Sequence, residues 1–143
     1  MILTIPDVRQ RDDYDCGWAC TDAILRFYGQ RERGPAELAN RVQGMAADTV
    51  EAVFRSLGFR ILSGTMDVDT VRDLTRRGRP VMCAITLLGE SHWVVAAGVE
   101  RGKVHYQDPW HGPLKASAAW FVEHWKNPKW DEYKRWAICP EKP

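Results

Sequence analysis

The chain has almost no excess charge: 20 Lys and Arg are set against 19 Asp and Glu, a net of +1. With no strong field of either sign, nothing draws it to nucleic acid or to an anionic membrane surface, and neither is an expected partner. Long apolar runs are also missing. The longest, "PVMCAITLLG", is about half of what a bilayer-spanning helix requires. The opening "MILTIPDVRQRDD" has neither the basic start nor the apolar stretch of a secretory signal. These absences lead to the expectation of a cytoplasmic protein with reduced thiols and no membrane segment. Cysteine is sparse, and the four residues Cys16, Cys20, Cys83 and Cys139 are too scattered for a disulfide scaffold. Repeats, low-complexity tracts and linkers are lacking, so residues 1–143 are expected to form one domain around a single core.

What the chain does have is tryptophan, seven in all, with four after residue 119, which predicts an aromatic packing layer near the C-terminus. The spacing of Cys20, Ile24 and Phe27 predicts a helix over 17–28, ended by Tyr28-Gly29. Pro35 and the following "AELANRV" predict a short helix. Val50, Val53, Phe54 and Leu57 predict another over 48–57, and Val68, Val71 and Leu74 a third over 68–77. The period then changes. Runs at 80–88, 92–100 and 103–109, separated by "GES" and "RG", read as consecutive antiparallel strands. A helix over 118–125 and a final strand over 133–140 complete the pattern. Helices first and an antiparallel sheet afterwards indicate an α+β fold, an N-terminal helical layer packed on a C-terminal antiparallel sheet.

Within "QRDDYDCGWACTDAILRFYG", Cys16 stands where the predicted helix begins, and a helix N-terminus favours a thiolate. Four readings compete for it: nucleophile, half of a disulfide, metal ligand, or small apolar residue. A Cys16–Cys20 disulfide within one helix is geometrically awkward. A zinc site from Cys16, Cys20, His92 and Cys139 lacks the usual close ligand pair, so no metal is expected. A nucleophilic thiol needs an oriented base. His92 opens the strongly apolar "HWVVAAGV", and Asp108 ends the next strand, where a hairpin can bring its carboxylate beside the imidazole. Gln10 can supply an amide to an oxyanion, together with the Cys16 backbone N–H. His111, in the turn "PWHGP", is the rival base, while His105 and His124 read as structural or solvated. Cys20 and Cys83 read as small buried hydrophobes.

Taken together, "IPDVRQRDDYDCGWACTDAILRFYG", "SHWVVAAGV", "KVHYQDPWHG" and "FVEHW" resemble the bacteriocin-processing peptidases of the papain-like clan, which cleave double-glycine leader peptides. The resemblance runs from about residue 5 to 139, in order. It implies a papain-like cysteine peptidase fold, with Cys16 as nucleophile, His92 as base and acid, Asp108 as orienting group and Gln10 as oxyanion donor. It also implies a peptide or protein substrate and no cofactor. Relatives are often fused to an ABC exporter. None follows here, so a free-standing form is expected. Trp18 and Trp93 flank the implied catalytic positions and are expected to narrow the cleft in favour of small residues, with Trp110 as a further groove residue.

Two other readings use the same residues differently. An amidase or acyltransferase of transglutaminase-like chemistry would resolve a Cys16 thioester with an amine instead of water. A non-catalytic peptide-binding module would keep the fold alone, and the presence of Cys16, His92 and Asp108 together argues against it.

Overall fold

Among the described residues, strand-forming runs from residue 60 onward build one six-stranded, fully antiparallel sheet. The computed structural model describes residues 1–13, 15–30 and 45–142, and the helix expected after Pro35 lies outside them. In chain order the elements are α1 (Cys16–Phe27), α2 (Ala47–Ser56), β1 (Arg60–Thr65), α3 (Val68–Arg76), β2 (Val81–Leu87), β3 (Glu90–Glu100), β4 (Lys103–Asp108), β5 (Gly112–Ser117), α4 (Ala118–His124) and β6 (Trp136–Glu141), with a 3-10 turn at Asp131–Tyr133 before β6. The strands lie in the order β1-β6-β2-β3-β4-β5. This is an α+β architecture, as the sequence indicates.

The sequence order differs in one respect from helices first and sheet afterwards. β1 falls between α2 and α3, and α4 falls between β5 and β6. Helices also cover both faces of the sheet. On one side, Ile24 and Leu25 of α1 and Val50 and Phe54 of α2 cluster with Met82, Trp93, Val95 and Ile138. On the other, Val71 and Leu74 of α3 and Phe121 and Trp125 near α4 cluster with Val81, Cys83, Val94 and Ala96. Burial on both faces explains why β3 reads as a nearly continuous apolar run instead of an alternation. It also gives the C-terminal aromatics their place, since Phe121 and Trp125 are almost fully enclosed.

The strands that sequence patterning misses, β1 and β5, are the two edges of the sheet. "RILSGT" and "GPLKAS" carry few buried side chains, and Pro113 is tolerated in β5 because an edge strand leaves one row of N–H groups unpaired. The connection between β2 and β3 is also tighter than "GES" suggests. Leu88 and Gly89 both adopt positive φ, at 51° and 77°, the combination that fits a two-residue hairpin turn. Glu90 and Ser91 therefore belong to β3, and the turn sets the register that pairs His92 with Ile85.

Candidate active site

α1 begins at Cys16 itself, one residue earlier than its periodicity indicates, so the thiol sits in the first turn. Almost the whole helix is buried, from Cys16 to Leu25. Its N-terminal end is pressed against β3. A Cβ at Gly17 would lie 2.9 Å from Met45 Cβ and 3.0 Å from Trp93 Cδ1, closer than side chains tolerate. One turn on, the Cys20 thiol donates to the Trp93 carbonyl at 3.3 Å. The absence of a side chain at position 17 thus lets the helix end reach the strand that carries His92.

The β3–β4 ladder pairs Val95 with Gln107. Continued by one residue, that register sets Asp108 opposite Val94, two residues from His92 and of the same parity, so both side chains leave the sheet on one side. His92 Nε2 lies 3.2 Å from Asp108 Oδ1. The same oxygen accepts the Trp110 backbone N–H at 2.7 Å, which fixes the carboxylate in the turn after β4. With Nε2 committed to Asp108, Nδ1 is the nitrogen left for Cys16, whose side chain acts on the ring and raises its affinity for a proton. His111, the rival base, is largely exposed, and its Nδ1 is 3.7 Å from the other Asp108 oxygen.

Electrostatics follow from these contacts. Burial opposes a charge on His92 and is the largest single influence. The hydrogen bonds to Asp108 and Cys16 and the charges of both outweigh it, and the imidazole is pushed up to about 9. These contacts favour the protonated ring, in which both nitrogens donate. Burial likewise pushes the Asp108 carboxyl up, but the bonds from His92 and the Trp110 N–H, with the charges of His92 and His111, hold it below its ordinary value. Burial drives the Cys20 and Cys83 thiols well above the ordinary range and pushes Cys139 up to about 12. All four cysteines are free.

Gln10 is buried and anchored twice. Its backbone N–H donates to the Pro109 carbonyl at 2.9 Å, and its side-chain amide donates to the Asp12 carbonyl at 2.6 Å. One amide hydrogen is thereby used, and among the described residues Gln10 Oε1 has no partner. Gln10 and Trp18 line a small recess of about 180 Å³ together with Asp15, whose Oδ1 is likewise buried without a partner among the described residues. Trp18 is 5% exposed and belongs to the core cluster of α1. Trp110 is 43% exposed beside Asp108.

A larger cleft, about 480 Å³, opens beside His92 and Trp93 and is lined further by Met45, Ala84, Trp130 and Tyr133. The Trp93 indole is held in its wall by a hydrogen bond to the Met45 carbonyl at 2.9 Å. Of the residues singled out in the sequence, Cys16, His92 and Asp108 form one connected group, Gln10 is tied to its border through Pro109, and Trp93 lines the cleft. The residues 127–136 that complete the cleft were not legible as site residues, because they are an irregular segment whose only sequence signal is its tryptophans.

A cysteine sulfur, an imidazole and a buried carboxylate in series can perform nucleophilic acyl transfer with acid–base assistance. The model of the peptidase C39 family matches residues 4–128. No curated protein sequence matches significantly. Among solved structures, the chain is similar to the peptidase domain of Streptococcus ComA, a bifunctional ABC transporter of a quorum-sensing pathway. Identity is 22%, the match covers 95% of this chain and 97% of that one, and the TM-score is 0.77. It is similar at 16% identity to a double-glycine-motif protease from an AMS/PCAT transporter, solved in complex with its leader peptide, over 98% and 91% of the two chains with a TM-score of 0.76. A C39-like peptidase from Bacillus anthracis matches at 13% identity over 99% and 98%, also with a TM-score of 0.76. At these identities the structures show a shared fold, and among the described residues no helix is long and apolar enough to cross a membrane. The family match extends over most of the chain, and the chain belongs to the peptidase C39 family of cysteine peptidases.

Proposed function

We propose that this chain, acting as one peptidase domain over 1–143, is a cysteine endopeptidase that cuts a precursor or leader peptide after a small-residue motif of the Gly-Gly type. The observation that supports the reading is the His92–Asp108 hydrogen bond, which takes Nε2 and leaves Nδ1 for Cys16 at the head of α1. In the first step Cys16 passes its proton to His92 as the sulfur attacks the scissile carbonyl carbon. The oxyanion takes the Cys16 backbone N–H and the second hydrogen of the Gln10 amide. Collapse breaks the C–N bond, and His92 Nδ1–H gives its proton to the leaving amine. His92 then removes a proton from water, which attacks the thioester and releases the acid and the thiol.

Trp93 supports a preference for small residues, because its indole packs against Gly17 at the border of the cleft and is pinned by Met45. Trp110, exposed after Asp108, is assigned to the opposite wall, and Trp18 to the recess that Gln10 shares. The double-glycine motif and peptide occupant are those of the AMS/PCAT relative, brought here as a proposal. The test is cleavage of synthetic leader-like peptides bearing an internal Gly-Gly, read by mass. Cleavage after the second glycine, absent in Cys16→Ala, supports the reading. Cleavage retained by Cys16→Ala, or no cleavage of any such peptide, refutes it.

A further inference from the structure

The cleft beside His92 has an unusual lining. Three tryptophans (Trp93, Trp130, Trp136) and Tyr133 supply aromatic faces, and two carboxylates, Asp48 and Glu132, share the wall. Among the described residues no Lys or Arg lines it. Lys129 and Lys134 flank the same segment without entering the lining. Trp130 is 56% exposed, far more than a tryptophan that is finished packing. Tyr133 is held edge-on against Trp136, with ring centroids 5.0 Å apart, so that the aromatic wall is fixed. The backbone N–H of Trp130 donates to Asn127 Oδ1 at 3.1 Å, and Asn127 Nδ2 reaches Ser91 Oγ at 3.3 Å. The loop bearing Trp130 and Glu132 is thereby tied to the strand that presents His92.

We infer that this cleft is a specificity pocket for a basic side chain, Lys or Arg, of the peptide substrate, with Trp130 and Glu132 as the residues that select it. A cation over an indole face gains from the ring's quadrupole, and a nearby carboxylate adds ionic attraction. A simple apolar side chain would use the aromatic faces but leave Glu132 without a counter-charge, and an acidic one would be repelled. The imidazolium of His92 stands at the catalytic end of the cleft, where Asp108 offsets its charge. The inference rests on the peptidase reading of this site, and it names the class of side chain that the cleft admits.

The test uses alanine-based peptides ending in Gly-Gly, in which Arg, Lys, norleucine or Glu is scanned through the positions before the glycines. Binding to Cys16→Ala is followed by tryptophan fluorescence, and kcat/KM is measured on the wild-type protein. At one position Arg or Lys is expected to bind about fivefold more tightly than norleucine, the gain of one exposed cation–π contact with a weak ion pair. Glu132→Gln should reduce that preference to about twofold or less, and Trp130→Ala should weaken both Arg and norleucine peptides. Both variants should leave iodoacetamide labelling of Cys16 unchanged. Norleucine binding as well as Arg everywhere, a preference that survives Glu132→Gln, or no saturable binding by any peptide would each overturn the inference. Because binding is read on a protein without the nucleophile, failure of the peptidase reading shows separately, as loss of turnover in the wild-type protein.

Discussion

The Gln10 backbone N–H and the Pro109 carbonyl are hydrogen-bonded at 2.9 Å, joining the segment before α1 to the turn that follows Asp108. The proposed oxyanion donor and the proposed orienting carboxylate are therefore held in one frame, although 98 residues separate Gln10 from Asp108 in the chain (108 minus 10). Arg9 strengthens the same connection, pairing with Asp7 and donating to the Trp110 carbonyl at 3.2 Å. Asp7 in turn accepts from Gln107 at 2.6 Å. Replacing Asp7 with Ala should loosen this strap and lower kcat more than it raises KM. Equal kcat in Asp7→Ala and wild type, measured on one peptide substrate, would show that the strap does not position the site.

Asp108→Asn should keep the fold but lose both the charge and the correct acceptor for His92. The expected fall in kcat/KM is about 10²–10⁴-fold, the range typical of oriented acid–base catalysis. Steady-state kinetics on a cleavable peptide measure it directly.

The raised His92 value sets the direction of the pH dependence. With the imidazole at about 9, the protonated donor is present through neutral pH and is lost above it, so kcat/KM should fall on an alkaline limb near pH 9. In Asp108→Asn the limb should move down toward the ordinary imidazole range, since a partner that raises the value is gone. A wild-type alkaline limb near the ordinary value of 6.5 would contradict the geometry.

The same shift acts on stability. His92 has a folded-state value above its ordinary 6.5, so its contribution is complete below about that pH and disappears as pH rises through 9. The amount is of order 1–3 kcal/mol for so buried a group. Asp108, held low, contributes above its ordinary 3.8, and that part is lost as the solution is acidified. Urea midpoints of wild type and His92→Gln at pH 6 and pH 10 should converge at the higher pH.

Gly17→Ala places a methyl group 2.9 Å from Met45 Cβ and 3.0 Å from the Trp93 ring. The helix end or the indole must shift, at a cost of about 1–3 kcal/mol in stability. The helical propensity of alanine would by itself stabilise the chain, so the sign of the change decides the matter. A thermal melt showing Gly17→Ala more stable than wild type would remove the close approach as a determinant of the site.

How much of this was legible in the sequence depended on burial. α1, α2, α3 and the central strands β2, β3 and β4 bury strong apolar patterns and could be read within a few residues. β1 and β5 could not, because an edge strand is mostly exposed and "GPLKAS" looks like a turn. His92 and Asp108 were legible from their places near the start of one strand and at the end of the next, since a hairpin of fixed register brings such positions together. The roles of Gly17 and of 127–136 were not, because a steric contact 76 residues away (93 minus 17) and an irregular loop leave no periodic trace. The resemblance to a known family carried the chemistry further than spacing alone.

The central claim is that the Cys16 sulfur becomes acylated during turnover. The direct measurement is rapid acid quench of the enzyme cleaving a Gly-Gly peptide, followed by intact mass and peptide mapping. The prediction is an adduct equal in mass to the N-terminal acyl fragment, located on Cys16 and lost in Cys16→Ala together with all cleavage. An adduct on Cys20, Cys83 or Cys139, or cleavage that continues in Cys16→Ala with no adduct anywhere, would contradict it.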